Sequence, residues 1–250
     1  MAELGQVIFM VFIKKYRKYV LNANIAYLAG AIIGDGNISN SYHSGSTKWM
    51  DYRIIIENEN KEYIYNSIYP LVLSILKTSA KPHVRNYNRD NKKDGFVFAF
   101  RDKNFYKFLT QGLKIPSGKK ASIVRIPYKI RTSDKIKIKK NFMAGIFDTD
   151  GGLRGGGIGQ STASKKFRDD VVKFLSLFGY EPSIDEWINK RYKRKYYGWR
   201  IKGTIITNFI NQFPFRNLDK IKVICNRFNY CRGGRVRSNA SEVLPTKLRT

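Results

Sequence analysis

Two short stretches of this chain repeat each other. The first runs from Tyr27 to Gly36 (YLAGAIIGDG) and the second from Phe142 to Gly151 (FMAGIFDTDG). Both place Ala-Gly at the third and fourth positions, surround that pair with apolar residues and end in Asp-Gly. Because the copies lie almost half a chain apart, they indicate a protein built from two related halves.

Each copy is predicted to form a buried helix of about three turns that ends in a carboxylate. Asn24 is expected to cap the first helix. Ser133, or Asn141 if the helix is shorter, is expected to cap the second. Gly36 and Gly151 stand where a residue in the left-handed conformation would end each helix.

The glycines inside these helices require an explanation, since each lowers helix stability by about 1 kcal/mol relative to alanine. Gly30 and Gly34 are four residues apart and share one helix face, and Gly145 and Thr149 repeat this small face in the second copy. Small faces allow two helix backbones to approach closely. The two helices are therefore predicted to pack against each other.

Parallel packing would bring Asp35 and Asp150 together at one pole. That arrangement is unfavourable alone, because each carboxylate meets the negative end of a helix dipole and the two repel each other. A hard divalent cation such as Mg²⁺ relieves both problems, since it binds one or two carboxylates together with phosphate oxygens. The alternative is that Asp-Gly only forms a turn after each helix. The matched copies favour the metal site.

Residues 28–36 and 143–151 resemble the two signature motifs of a single-chain LAGLIDADG homing endonuclease. Both match at the Ala-Gly pair and at the terminal Asp-Gly. They depart at Met143, a conservative change, and at Ile33, where the family often carries Asp and where the second copy has Asp148. The resemblance assigns the catalytic carboxylate, the eighth residue of the motif, to Asp35 and Asp150.

The resemblance implies an α+β fold of two pseudo-symmetric αββαββα halves, whose antiparallel sheets form a DNA-binding saddle around two packed central helices. The apolar periodicity agrees, because it indicates helix, strand pair, helix, strand pair and helix twice. The predicted divisions are a basic N-terminal extension (1–22), a first half (23–113), a linker (114–133), a second half (134–231) and a flexible basic tail (232–250). The first hairpin of the second half is expected to be much shorter than its counterpart.

By resemblance, Asp35 and Asp150 hold divalent ions, Mg²⁺ or Mn²⁺, together with the backbone carbonyls of Gly34 and Thr149. Two such ions can activate a water, stabilise charge on the phosphate and assist the leaving 3′ oxygen. Each aspartate would serve one DNA strand, so that the product is a staggered double-strand break.

The family also uses polar or basic side chains to order the attacking water. By their position at the end of the second strand, Asn58 and Gln160 are the nearest matches. Lys120 and Lys220 are expected to follow the last helix of each half and are the candidate basic helpers. For these lysines the alternative is a solvated basic surface.

The outer faces of the predicted strands alternate Arg, Lys, Tyr and Asn. A two-stranded ribbon fits the DNA major groove, where arginine can bind guanine through two hydrogen bonds. The alternative for any one of these residues is a phosphate contact, which positions DNA without reading its sequence, or a solvated face. The candidate DNA-binding residues are Arg53, His83, Arg85, Tyr87, Arg101, Arg154, Arg191, Arg200 and Lys202.

Composition indicates the class of partner. The chain has 47 Lys and Arg against 19 Asp and Glu, a formal net charge of +28 that favours a polyanion, ordinarily nucleic acid. Two cysteines are too few for a disulfide framework or a zinc site, and two histidines argue against a histidine-based nuclease. The apolar run at residues 7–13 is too short to span a bilayer, so no membrane partner is expected.

The sequence therefore predicts an intracellular, intron-encoded endonuclease that cuts both strands of double-stranded DNA with Mg²⁺ and works as a monomer without an obligate protein partner. The unequal hairpins predict a long, asymmetric target. The main alternative is an RNA maturase on the same scaffold, which would bind its own intron RNA. A ribosomal RNA-binding protein would fit the charge but leave the paired Asp-Gly helices unexplained.

Overall fold

The computed structural model describes residues 19–44, 49–85, 95–191 and 193–228. Tyr87, the tail predicted at 232–250 and most of the predicted N-terminal extension lie outside them. The first half contains α1 (Ala23–Gly34), β1 (Gly36–His43), β2 (Trp49–Asn58), α2 (Lys61–Tyr63, Ile64–Ile68 and Tyr69–Ile75 in succession), β3 (His83–Arg85), β4 (Gly95–Arg101) and α3 (Lys103–Lys107 with Phe108–Gly112).

The second half repeats this order. It contains α4 (Tyr128–Arg131), α5 (Ile136–Asp150), β5 (Gly152–Arg154), β6 (Gly157–Thr162), α6 (Lys165–Leu177), β7 (Ser183–Asn189), β8 (Arg194–Lys202), α7 (Gly203–Ile205 followed by Ile206–Gln212) and α8 (Leu218–Arg227). The helix α8 is an addition to the predicted pattern, which ended each half with a single helix.

The sheets have the same antiparallel topology, with strand order β1-β2-β4-β3 in one and β5-β6-β8-β7 in the other. This confirms the predicted α+β fold with two pseudo-symmetric halves. The first hairpins differ as expected, since β5 and β6 have 3 and 6 residues against 8 and 10 in β1 and β2. The short turn uses Gly155 and Gly156, both with positive φ angles.

The central contact of the fold joins α1 to α5 at their small faces. A Cβ atom added to Gly30 would lie 2.3 Å from the carbonyl oxygen of Phe142, and one added to Gly145 would lie 2.1 Å from that of Tyr27. The Thr149 hydroxyl occupies the space that a side chain at Gly34 would need. The two helices therefore touch backbone to backbone, and their predicted packing is confirmed.

The predicted helix caps were wrong. Asn22 caps α1, because its Oδ1 accepts from the Ile25 N–H at 3.0 Å, whereas Asn24 lies within the helix. α5 begins after Lys135 without a side-chain cap. Ser133 lies two residues too early and instead accepts from the Lys135 N–H. Asn141 is buried inside the helix, where its amide donates to a carbonyl of the preceding turn.

Neither Gly36 nor Gly151 adopts the predicted left-handed conformation. Gly151 is extended, with φ −77° and ψ 160°. Glycine is required at both positions because there is no room for a side chain. An added Cβ would lie 2.5 Å from the Ile32 Cα at Gly36 and 2.2 Å from the Phe147 ring at Gly151. The chain thus turns back closely over the end of its own helix.

The segment predicted as a linker, 114–133, packs against both halves. The Gly118 N–H donates to the Ile38 carbonyl in β1 at 2.7 Å. Arg125 donates to both oxygens of Asp170 in α6, at 2.9 and 3.0 Å. Ile126 and other apolar side chains of the segment join one core that runs through both halves. Among the described helices, none has the length and apolar composition required to cross a membrane.

The helix contact predicts the effect of one methyl group. Gly145→Ala should lower the free energy of unfolding by about 2 kcal/mol or more, because the new Cβ meets backbone that cannot rotate away. Gly112→Ala is the matched control, since its Cβ would make only an ordinary 3.4 Å contact with Phe108. Urea denaturation of both variants tests this. Equal midpoints would show that the helices can separate at no cost.

Candidate active site

The two motif carboxylates lie at the carboxyl ends of α1 and α5. Asp35 is the C-cap of α1, and Asp150 is the last residue of α5. The Asp150 Cγ lies 3.4 Å from the position that a Cβ on Gly34 would occupy. The backbone contact between the helices therefore brings an acid from each half to a common site.

Burial raises the pKa of both acids. Burial, followed by the negative charge of Asp150, raises the pKa of Asp35 to about 6. The pKa of Asp150 is also raised by its protein surroundings, although part of its side chain is exposed to solvent. Lys120 and Lys220 oppose both shifts with their positive charge. Two acids are thus held where ionising both is unfavourable without added positive charge.

A side-chain amide holds each carboxylate. The Asn58 Nδ2 donates to Asp35 Oδ2 at 2.5 Å, and the Gln160 Nε2 donates to Asp150 Oδ2 at 3.3 Å. The amides lie at different register positions, since Asn58 is the last residue of β2 and Gln160 lies within β6 opposite Trp199. Their oxygens accept from the Asn60 N–H and from the Trp199 indole respectively. Because a donor approaches each amide oxygen, the NH₂ group is directed towards the carboxylate.

Two lysines complete the site by binding backbone carbonyls at equivalent positions of the two halves. The Lys120 Nζ donates to the carbonyls of Gly36 at 2.5 Å and Gly34 at 3.4 Å. The Lys220 Nζ donates to those of Thr149 at 2.5 Å and Gly151 at 2.8 Å. Burial lowers the pKa of both lysines, and the neighbouring aspartates oppose this shift. Each ammonium group binds carbonyls at and just beyond the carboxyl end of α1 or α5, where a helix leaves carbonyls without a backbone partner.

The lysines reach the site from different elements. Lys120 lies in the segment between the halves, after α3 as expected. Lys220 was expected in the chain after the last helix but lies in the first turn of α8, where Asn217 caps the helix by accepting from the Lys220 N–H.

The donor set fits a hard divalent cation. It consists of two carboxylates, with backbone carbonyls nearby. The described part of the chain contains no group of three or more His, Cys, Asp and Glu side chains that could hold a metal ion. Such a ligand set suits Mg²⁺, which keeps several water or phosphate ligands. The Gly34 and Thr149 carbonyls, expected to bind metal, accept from lysine here, but each has a second lone pair.

A buried network beside the site was not predicted. Asp148 is fully buried, and its Oδ2 accepts from the Tyr27 hydroxyl at 2.5 Å and from the Arg216 N–H at 2.7 Å. The Tyr63 hydroxyl lies 3.1 Å from that of Tyr27, and the Asn217 amide donates to the Asp148 carbonyl. Burial raises the pKa of Asp148 to about 6. This network joins α1, α2 and the start of α8 to α5.

Most of the predicted DNA-binding residues share the sheet faces that point away from the core. Ile54 and Phe98 are fully buried on the inner face of the first sheet, and the neighbouring odd-numbered residues lie on the outer face. The outer faces or ends of β2, β4, β5 and β8 carry Arg53, Arg101, Arg154, Arg200 and Lys202. His83 and Arg85 are on the edge strand β3, and Arg191 lies in the turn between β7 and β8.

The chain is similar to proteins of known family and structure. A sequence model described as a LAGLIDADG-like domain matches residues 137–230. The structure resembles I-DmoI in complex with DNA and Mn, with a TM-score of 0.59 and 18% identity over 78% of this chain and 97% of that chain. It also resembles I-WcaI bound to its DNA recognition sequence, with a TM-score of 0.52 and 16% identity over 87% and 91% of the two chains.

A curated relative matches in sequence. The replication factor C small subunit of Methanocaldococcus jannaschii is 36% identical over 106 residues, which is 42% of this chain and 6% of that protein. The chain thus spans only a small part of that relative's length. The similar structures confirm the predicted fold, and the LAGLIDADG-like model matches the half that carries the second motif.

The raised pKa of Asp35 predicts a pH dependence of stability. Its folded pKa of about 6 exceeds the ordinary 3.8, so folding takes up a proton between these values. The metal-free protein should therefore lose stability as pH rises through about 4 to 6. Asp35→Asn removes the ionisable group. The melting temperature of this variant should therefore rise relative to that of the parent as pH increases across this interval.

The control for this measurement is Asp134→Asn, which removes an exposed acid just before α5. The difference between its melting temperature and that of the parent should stay constant over the same pH range. A constant difference for Asp35→Asn as well would contradict the raised pKa of Asp35.

Proposed function

We propose that this chain, whose residues 137–230 match a LAGLIDADG-like domain, is a site-specific homing endonuclease that hydrolyses both strands of a long, asymmetric DNA duplex with Mg²⁺ or Mn²⁺. The observation that carries this proposal is the paired site. Each half supplies one helix-terminal aspartate, one amide bound to it and one lysine bound to the helix end.

Asp35 and Asp150 would hold the metal ions. Divalent ions bound there would supply an activated water, charge stabilisation on the phosphate and assistance to the leaving 3′ oxygen. The raised pKa values of the two acids support this role, because a site that disfavours two negative charges gains most from bound cations.

The amides and lysines would prepare the site. Asn58 and Gln160 orient the carboxylates and leave a second oxygen of each available. Lys120 and Lys220 hold the helix ends and place positive charge where phosphate would approach. Asn58 and Gln160 also lie close enough to the carboxylates to order a water beside them.

The outer sheet faces would bind DNA, with Arg53, His83, Arg85, Arg101, Arg154, Arg191, Arg200 and Lys202 among the contacting residues. The unequal sheets support an asymmetric target, since the halves present different side chains. The similar structures of I-DmoI and I-WcaI are complexes with DNA, which supports DNA as the partner. Both halves supply a complete set of groups, so one chain is expected to suffice. Both motif acids are retained with their partners, which favours cleavage over the maturase alternative.

Cleavage of a randomised duplex library tests the function and finds the target. The library is incubated with the full chain and Mg²⁺, beside a sample with EDTA, and the cut ends are sequenced. One long, non-palindromic site should be enriched only with Mg²⁺. Tight retention of a structured intron RNA without any DNA cutting would favour the maturase.

Substitution of the acids tests the mechanism on the target so found. Asp35→Asn and Asp150→Asn should each reduce double-strand cleavage by at least about 1,000-fold, because each removes a charged metal ligand. DNA affinity, measured by gel shift in EDTA, should stay within a few-fold of the parent. Asp134→Asn is the control and should cut normally. Full cleavage by either motif variant would refute the paired-carboxylate mechanism.

A further inference from the structure

One arginine lies across the outer face of the second sheet. Arg154 in β5 donates from Nη2 to both oxygens of Asp185 in β7, at 2.9 and 2.8 Å, although these strands form opposite edges of the sheet. Its Nη1 donates to the Ser161 hydroxyl at 2.5 Å. The guanidinium also stacks over the Trp187 ring, 4.7 Å from its centroid. Three residues on two other strands thus determine its position.

The sheet provides space for this pair. Gly198 in β8 lies opposite Asp185 and Ser161 in the strand register. A Cβ on Gly198 would lie 2.0 Å from Asp185 Oδ1 and 2.4 Å from Arg154 Nη2. The ion pair therefore rests directly on the β8 backbone, and any side chain at this position would displace it.

Stability does not account for the pair. The Asp185 side chain is 58% exposed, and exposed ion pairs contribute little to folding. A carboxylate on a DNA-facing surface also repels phosphate, so it does not add affinity. What it supplies is a fixed orientation of a guanidinium. The contacts use Nη1 and Nη2 and leave at least two of the five arginine N–H groups for a base edge, and 22% of the Arg154 side chain is exposed.

The first sheet also pairs a carboxylate with arginines on its outer face, although this carboxylate is buried. Asp51 in β2 is buried and accepts from Arg101 Nε at 2.7 Å and Nη2 at 3.4 Å. Arg53 Nε lies 3.5 Å from its other oxygen. Arg53 and Arg101 are directly opposite each other in the register of β2 and β4, and about half of each side chain is exposed. One carboxylate again orients arginines on the outer face.

We propose that Asp51 and Asp185 are positioning residues that determine specificity, one for each half of the DNA target. Each fixes the guanidinium of an outer-face arginine so that its remaining N–H groups can donate to O6 or N7 of a guanine. Each carboxylate repels phosphate, and what it contributes instead is discrimination between bases. This inference rests on the proposed function, because it assigns the arginines to base recognition.

The test compares two neighbouring residues with the same charge. Asp185→Asn removes the carboxylate beside Arg154. Glu186→Gln removes an equal charge from the opposite face of β7, where Glu186 pairs with Arg168 and Lys195. Asp51→Asn examines the first half independently, should one variant fail to fold. Each variant and the parent select duplexes by retention in EDTA from a randomised library, and the bound DNA is sequenced.

Asp185→Asn should lose about tenfold in discrimination at one or two adjacent G·C pairs in one half of the target, with total affinity unchanged or higher. Asp51→Asn should do the same in the other half, and Glu186→Gln should keep the parental profile. Parental profiles in both Asp variants, or a uniform loss at all positions, would overturn the inference. Because retention needs no cleavage, a parent that binds its site without cutting would overturn only the endonuclease proposal.

Discussion

The backbone contact between α1 and α5 determines the rest of this structure. Gly30 and Gly145 each face a carbonyl oxygen of the other helix, at distances that exclude even a methyl group. The same contact joins the two halves into one core and brings both helix ends to one place. It thereby sets Asp35 beside Asp150, at the negative ends of two helix dipoles, where carboxylates are least favoured.

The surrounding groups offset this electrostatic cost in matched pairs. Asn58 and Gln160 each donate a hydrogen bond to a carboxylate, and Lys120 and Lys220 bind equivalent carbonyls at the helix ends. The pKa of Asp35 nevertheless remains raised. The site therefore keeps an affinity for further positive charge, and the proposed metal binding uses this property.

The halves share a topology but differ in chemistry. The second half carries buried Asp148, where the first has Ile33, and uses it to anchor the start of α8 and thus Lys220. Its first hairpin is short and rich in glycine, so Arg154 can lie across the sheet towards Asp185. In the first half, Asp51 holds its arginines from near the start of a long strand. The unequal outer faces of the two sheets suit the proposed DNA target without symmetry.

The sequence alone determined the duplication, the small helix faces, the two motif acids and the order of helices and strands. These features repeat at short spacing or in matched copies, so local patterns reveal them. The tertiary structure decided which lysine reaches which carbonyl, the network of Asp148, the caps of α1 and α5, and the pairing of Asp51 and Asp185 with arginines. Most of these contacts join residues far apart in the chain, and in a sequence with 47 Lys and Arg no pattern marks which cations meet an acid. Only the folded backbone selects those partners.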